Sequence, residues 1–196
     1  MVASAAVHAH MRRAWAEIAP RFSAYELVLP GSSAFICQAA DCGARCCRAF
    51  SVNLGEAEAE RFSRTSGLQR AEFLECEDGR PIALPLAQPY LLARAGGGCK
   101  QLGADLGCAQ YEGRPNACRL YPHFIIFVEP ETARPVYGEL EGMERSFLAV
   151  LGGDAGPYAA LLLRHVDCPG FTGPPMTGGQ WQELFEETYL LQYAPG

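Results

Sequence analysis

The fold is decided by the stretch Phe35-Ile-Cys-Gln-Ala-Ala-Asp-Cys-Gly-Ala-Arg-Cys-Cys-Arg-Ala-Phe50, which holds four of the nine cysteines in the chain. Their spacing is C-x4-C-x3-C-C, at Cys37, Cys42, Cys46 and Cys47. Gly43 follows the second cysteine, and a glycine at that point lets the backbone take positive φ and turn sharply. The stretch therefore predicts a loop that points several sulfur atoms at one place.

Outward from this stretch, a second group of cysteines follows, and a single cysteine stands in Asp-Cys-Pro-Gly. We expect eight cysteines to converge on one or more metal centres, with the rest of the fold holding them in place. The predicted metal ligands are Cys37, Cys42, Cys46, Cys47, Cys99, Cys108, Cys118 and Cys168. Cys76 lies in the polar turn Glu-Cys-Glu-Asp-Gly and is predicted to stay outside the metal site.

Two other roles for cysteine compete with metal ligation. Thiols can be ordinary buried hydrophobes, but that role does not explain an adjacent pair with two more cysteines nearby. Disulfide frameworks belong to small secreted domains, and the chain shows no charged segment followed by an apolar secretory core. An odd cysteine count would also leave one thiol unpaired. Metal ligation is therefore the favoured interpretation, and we expect a cytoplasmic protein.

Composition excludes several other classes of protein. A chain of 196 residues can bury a substantial core, and a hydrophobic content of 49% with 19% charged residues is that of a compact soluble protein. The net charge of −6 argues against general nucleic-acid binding, which needs a basic face. No apolar run reaches the length of a membrane span. We expect a metal ion as partner, with neither nucleic acid nor membrane.

The predicted fold class is α+β. We expect a small irregular domain of short helices and a small antiparallel sheet, organised around a cysteine-ligated metal centre. Residues 1–34 are predicted to form an N-terminal helix and an extended arm, and residues 35–171 the cysteine-cluster domain. Residues 172–196 are predicted to form an amphipathic helix that packs on the core through Trp181 and Phe185.

Periodicity and turn residues predict the individual elements. The sequence predicts a helix over 4–19, an extended segment over 50–54, a helix over about 55–65, a short helix begun by Pro115, a buried strand over 123–128 and its antiparallel partner over 133–140. Residues 144–151 and 157–163 are apolar, and helix and strand remain open for both. Gly96 to Gly98 predict a flexible approach to Cys99.

Charged residues and histidines near the cysteines are further candidates. Glu56, Glu58 and Glu60 invite a metal role, but a solvated helix face is the better prediction. Arg114 and Arg119 flank Cys118, where their positive charge could offset that of bound thiolates.

Four histidines give weaker candidates. His8 and His10 are predicted to be solvated. His123 is the best histidine candidate for a ligand, although an ordinary strand histidine is favoured. His165 precedes Cys168 by three residues and could reach the same site.

These motifs resemble those of the YkgJ-type cysteine-cluster proteins, the zinc- or iron-chelating domain. The resemblance rests on Cys37 to Cys47 with the following Arg-Ala-Phe-Ser-Val-Asn-Leu-Gly-Glu-Ala-Glu, on the run from Gly107 to Pro122, and on Cys168-Pro-Gly. It covers about residues 35–171. The commonest opening in the family is C-x2-C-G-x-C-C, and the wider spacing here is similar to that of flagellin lysine-N-methylases, which are much longer.

The chemistry of the metal stays open at this point. Eight thiolates would suit two tetrahedral Zn²⁺ sites, whereas the spacing is near the C-x4-C-x2-C of plant-type ferredoxins. The spacing and the methylase resemblance favour a [4Fe–4S] cluster over zinc. We expect a metal-binding accessory or redox protein. The alternative is a cluster-dependent enzyme that modifies a protein or peptide substrate, such as a lysine N-methylase-like activity.

Overall fold

Two separate apolar cores organise the chain. The computed structural model of the protein describes residues 4–193. Residues 4–37 pack together with residues 122–193 as a first unit, and residues 38–121 form a second unit. The first unit is therefore built from two stretches of chain that flank the second.

The elements of both units are short. The helices are α1 (Ala5–Ile18), α2 (Ala39–Cys42), α3 (Arg45–Ala49), α4 (Glu56–Ser66), α5 (Arg70–Phe73), α6 (Asn116–Leu120), α7 (Leu140–Gly152) and α8 (Gly178–Tyr193), with a 3₁₀ turn at Ala19–Arg21. The strands are β1 (Tyr25–Leu27), β2 (Asn53–Leu54), β3 (Cys76–Glu77), β4 (Arg80–Pro81), β5 (Tyr90–Leu91), β6 (Arg94–Ala95), β7 (Gly98–Cys99), β8 (His123–Glu129), β9 (Arg134–Val136) and β10 (Ala159–His165).

The first unit is built on a four-stranded antiparallel sheet in the order β1-β10-β8-β9. Its two central strands are almost entirely apolar, and their register pairs Leu161 with Ile126 and Leu163 with Phe124. Such β-branched and aromatic residues suit a pleated, buried surface. The predicted strand over 123–128 and its antiparallel partner are confirmed, and residues 144–151 and 157–163 prove to be helix and strand respectively.

Three helices contribute to the core of the first unit. Helix α1 is capped by the Ser4 hydroxyl, which accepts a hydrogen bond from Val7 N at 3.3 Å. Helix α8 buries Trp181 and Phe185, and the Trp181 indole donates to Val28 O at 2.8 Å. On α7, the Phe147 ring stacks on a tyrosine of α8 at 3.8 Å between centroids. The predicted helices at the two ends of the chain are confirmed.

The second unit has a much smaller core. Its apolar core consists of Leu54, Ala59, Phe62, Phe73, Leu74 and Leu92, and Ala44 and Ala93 are buried outside that cluster. The rings of Phe62 and Phe73 stack at 4.3 Å, and the three β pairings of this unit have two residues on each strand. Hydrophobic burial therefore stabilises residues 38–121 less than it stabilises the first unit.

The structure confirms an α+β protein that includes a small irregular domain. The packing units do not coincide with the boundaries at 34 and 171 predicted from the sequence, because β1 pairs with β10 and α8 packs on β8. The three-part division stays a prediction. Among the helices of residues 4–193, none is both long and apolar enough to cross a bilayer.

Candidate metal centre

The first cysteine cluster is shaped by two consecutive residues in the left-handed region. Gly43 has φ +59° and Ala44 has φ +55°, so α2 ends after Cys42 and α3 starts in a new direction. The turn predicted at Gly43 is confirmed. It places Cys46 and Cys47 in the first turn of α3, with their sulfur atoms 4.0 Å apart.

A tight hairpin delivers Cys99. Gly96 and Gly97 have φ of +59° and +79° and form the two-residue connection between β6 and β7, as type I′ hairpin turns require. The prediction of a flexible approach is wrong, because paired glycines at these positions define a turn. A Cβ on Gly98 would lie 3.5 Å from Cys47 O, so β7 runs close against α3.

Arg94 connects this hairpin to the helix that carries the adjacent cysteines. Its guanidinium donates to the carbonyl oxygens of Arg48 and Phe50 at the C-terminal end of α3. Its backbone pairs with Cys99 across the hairpin. One arginine therefore fixes the position of Cys99 relative to Cys46 and Cys47.

Cys108 returns to Cys99 through a closed loop. Leu102 forms an isolated β-bridge with Cys108, and Gly103 N donates to Gly107 O at 2.8 Å across the loop neck. The thiol of Cys99 accepts from Gln101 N at 3.4 Å. These contacts hold the loop that carries Cys108 next to the segment that follows Cys99.

Helix α6 supplies Cys118. Pro115 is the residue before the helix, with φ −55° and ψ +155°. The sequence predicted Pro115 within the first turn of the helix, whereas in the structure the helix begins one residue after it. Cys118 N donates to Pro115 O at 3.0 Å, which fixes Cys118 in the only full turn that this helix makes.

The adjacent thiols Cys46 and Cys47 differ sharply in acidity. The pKa of Cys46 is lowered to about 6, chiefly because the Cys47 S–H donates a hydrogen bond to it. Burial opposes that effect, while backbone N–H groups and the charge of Arg114 add to it. The same contact raises the pKa of Cys47, together with burial and the charges of Cys46, Cys99 and Cys118. Within the pair, Cys46 is the thiol whose ionisation is favoured.

The remaining thiols of the cluster oppose one another's ionisation. The pKa of Cys118 is raised to about 12, mainly by burial and also by the charges of Cys99, Cys108 and Cys46, while Arg114 acts in the opposite direction. The pKa of Cys99 is raised mainly by burial, and also by Cys108 and Cys46. These mutual effects on pKa involve five thiols, which we call the five-cysteine cluster: Cys46, Cys47, Cys99, Cys108 and Cys118.

Arg114 is placed where its charge acts on the cysteines, and its role toward bound thiolates stays a prediction. Its guanidinium lies 3.6 Å from the centroid of the Tyr111 ring, and its Nε donates to Tyr111 O at 3.0 Å. From this position its charge favours the thiolate forms of Cys46 and Cys118. Arg119 lies on α6 beside Cys118, and its role stays a prediction.

The donor set of this five-cysteine cluster fits a zinc or iron centre. Thiolate sulfur is a preferred ligand of both zinc and iron–sulfur centres, and a bound cation would offset the repulsion among these charges. Within residues 4–193, no three histidine, cysteine, aspartate or glutamate side chains already stand in metal-binding geometry.

The other four cysteines occupy different positions. The Cys42 thiol donates to Ala39 O at 3.8 Å within α2. Cys37 and Cys168 belong to the first unit, where Ile36 N donates to Gly170 O at 2.7 Å and brings their two segments together. Cys76 donates to Leu74 O at 3.4 Å in the β3–β4 hairpin. None of the nine cysteines, all within the described part of the chain, forms a disulfide.

The histidines belong to the first unit. His123 is buried between the edges of Phe35 and Phe171, and burial followed by the charge of Arg164 lowers its pKa to about 4. His165 accepts from Asp167 N at its Nδ1, in the turn that precedes Cys168.

The predicted solvation of His8 and His10 is wrong for one atom of each ring. Both Nε2 atoms are buried and have no hydrogen-bond partner among residues 4–193. The His8 ring packs edge-on against Trp181 at 5.4 Å, so helical packing rather than solvent surrounds it.

Glu58 was considered from the sequence only as a metal candidate or as part of a solvated helix face. The prediction of a solvated helix face is wrong for this side chain, which is only 3% exposed. Its carboxylate accepts from Gly55 N at 3.0 Å and from Asn116 N at 2.6 Å. The sequence signal for the first contact is the position of Glu58 three residues after the helix N-cap. The second contact joins residues 58 apart in the chain and has no local signature.

Comparison with curated proteins and with solved structures found no match. A family model described as "CxxCxxCC: Putative zinc- or iron-chelating domain" matches residues 36–141. The match spans the α2–α3 turn, the Cys99 hairpin and α6, and Cys168 lies beyond it. Since it covers more than half of the 196 residues, the chain belongs to this family of zinc- or iron-chelating domains.

Proposed function

We propose that this protein is a metal-handling accessory protein that binds zinc or an iron–sulfur cluster through the five-cysteine cluster. The observation that carries the proposal is the packing of the cysteine-bearing elements: Cys46 and Cys47 have their sulfur atoms 4.0 Å apart on α3, and β7, which carries Cys99, runs close against that helix. The family match over residues 36–141 supports metal binding. Cys42, Cys37 and Cys168 complete the proposed set of eight ligands.

The small core of residues 38–121 supports the same proposal. Domains that bury little apolar surface commonly depend on metals or disulfides for stability. The cysteines of this unit form no disulfide, and metal binding energy is folding energy where the site forms only in the folded state. A resident metal would therefore supply stability that six buried apolar residues do not.

A reducing compartment suits this chemistry. Metal ligation needs thiolates, and cytosolic conditions keep cysteines reduced. We therefore place the protein in the cytoplasm. When bound, zinc or an iron–sulfur cluster would supply structural cross-linking or electron transfer, respectively.

The test is metal analysis of protein purified without oxygen. We expect stoichiometric zinc, or iron with acid-labile sulfide, in the wild type. Cys46→Ser, Cys99→Ser and Cys118→Ser should lose the metal, because a hydroxyl is a poor substitute for a thiolate. Cys76→Ser is the matched control and should retain it. Folded monomeric wild-type protein without metal under these conditions would contradict the proposal.

The same samples address the alternative of a protein- or peptide-modifying enzyme. A catalytic centre keeps an open coordination position, whereas full cysteine ligation closes it. Cyanide or another small exogenous ligand should leave the absorption spectrum of a fully ligated centre unchanged; the readout applies to the iron–sulfur form or, for a zinc site, to the cobalt-substituted protein, because zinc itself has no visible absorption. A spectral change on adding the ligand would favour the enzyme.

A further inference from the structure

The buried carboxylate of Glu58 does more than cap its own helix. Glu58 is the third residue of α4, and its Oε2 accepts from Gly55 N, which is the glutamate half of a capping box. Helix α5 has the same device, in which Glu72 accepts from Gln69 N at 2.7 Å, yet Glu72 is exposed. Capping alone therefore does not require the burial of Glu58.

The second oxygen of Glu58 accounts for its burial. Its Oε1 accepts from Asn116 N at 2.6 Å, at the first residue of α6. That N–H is one of those that a helix leaves without an internal partner. A buried carboxylate is costly unless it is hydrogen-bonded or paired, and here both oxygens have donors, with Arg61 3.9 Å away as counter-charge.

Arg61, one turn after Glu58 along α4, also contacts the start of α6 and the residues just before it. Its Nη2 donates to Asn116 Oδ1 at 2.9 Å and to Arg114 O at 3.3 Å. A Cβ on Gly113 would collide with Thr65, one further turn along. One face of α4 therefore lies directly against the segment from Gly113 to Asn116.

This segment carries two groups that the cysteine cluster needs. Arg114 lies within it, and its charge favours the thiolate forms of Cys46 and Cys118. Cys118 follows Asn116 by two residues in a helix that spans only Asn116–Leu120. So short a helix has little stability of its own, and its position depends on contacts with neighbours.

We propose that Glu58, assisted by Arg61, is a positioning residue of the metal centre that holds Cys118 and Arg114 in register with the other cysteines. The inference rests on the proposed metal-binding function. Residues that orient metal ligands typically change metal affinity by about 10- to 100-fold when mutated, and we expect an effect of that order for Glu58→Ala.

The experiment measures binding of cobalt(II) alone to the anaerobic, metal-free full chain. Affinity is obtained by competition with a chelator, and the thiolate-to-cobalt charge-transfer absorption at saturation reports the number of bound sulfurs. Glu58→Ala should bind cobalt at least about 10-fold more weakly and show weaker charge-transfer absorption. Glu72→Ala removes an equivalent cap that does not contact α6, and it should retain the wild-type affinity and spectrum.

A second variant acts from the other side of the contact. Asn116→Pro removes both the N–H that Glu58 accepts and the side chain that Arg61 contacts. Proline suits the first position of a helix, and the extended backbone of Pro115 is compatible with a following proline. Asn116→Pro should weaken cobalt binding in the same way, and it decides the question if Glu58→Ala does not fold.

The outcomes separate the two proposals. A wild type that binds no cobalt overturns the proposed function and this inference with it. A wild type that binds, with Glu58→Ala and Asn116→Pro binding equally well and with the same spectrum, overturns the positioning role alone. Equal losses in Glu58→Ala and Glu72→Ala also overturn it, because they would reduce Glu58 to an ordinary cap.

Discussion

At the residue scale, the histidine best placed by sequence to be a ligand has a different physical role. His123 is 7% exposed between two phenylalanine rings, and its pKa falls from 6.5 to about 4 because burial disfavours the charged ring. The neutral imidazole is therefore part of the packing of the first unit.

This burial predicts a loss of stability in acid. The unfolded chain binds the His123 proton below pH 6.5, whereas the folded protein resists it until about pH 4. Stability is thus complete above pH 6.5 and falls by about 3 kcal/mol as the pH drops to 4. Urea unfolding across this range, with His123→Phe for comparison, should show a flatter dependence in the variant. Equal slopes would contradict the assignment.

Gly43 has a conformational role in the backbone that a substitution can measure. A Cβ at this position would meet nothing within 4 Å, so the cost of Gly43→Ala is that of positive φ alone, about 1–2 kcal/mol. Denaturant unfolding should show this loss. Gly152→Ala is the control, because Gly152 also has open space around it but lies in α7. That variant should be as stable as the wild type or more stable by up to about 1 kcal/mol.

At the scale of elements, the β6–β7 hairpin and α3 are joined by Arg94. Arg94→Met would remove the donors to Arg48 O and Phe50 O while keeping an apolar stem of similar length. We expect a loss of about 1–3 kcal/mol in unfolding free energy, with weaker metal retention because Cys99 loses its fixed position. Arg80→Met on the neighbouring β4 should change neither quantity. An unaffected Arg94→Met would show that the turn glycines alone fix the hairpin.

The elements also show what the sequence could and could not predict. Helices α1 and α8 were predictable from a clear apolar period, with Pro20 ending the first. Helix α4 followed from its acidic first turn and basic last turn, and β8 from its β-branched and aromatic residues. The left-handed turn at Gly43 followed from a single residue. The Glu58–Asn116 contact and the burial of His8 depend on distant residues, so periodicity contains no information about them.

At the scale of the whole molecule, the two cores differ in size, and we expect them to differ in how far their stability depends on a metal. The first unit has an extensive apolar core around its sheet, whereas the core of residues 38–121 is small. Chelator treatment of the metal-loaded protein should therefore accelerate amide hydrogen exchange mainly in residues 38–121. Strand β10 should stay protected. Uniform acceleration throughout the chain would show instead that a single cooperative unit unfolds.

The pairing of β1 with β10 also sets an order of events on the ribosome. The sheet of the first unit needs partners as distant as Tyr25 and His165, and it cannot close before residue 165 has emerged. Residues 38–121 are complete well before then. At about 5–20 residues per second, translation from residue 121 to residue 165 takes on the order of several seconds. The cysteine-rich unit thus emerges while its neighbour is still incomplete, and metal capture during this interval would precede closure of the sheet.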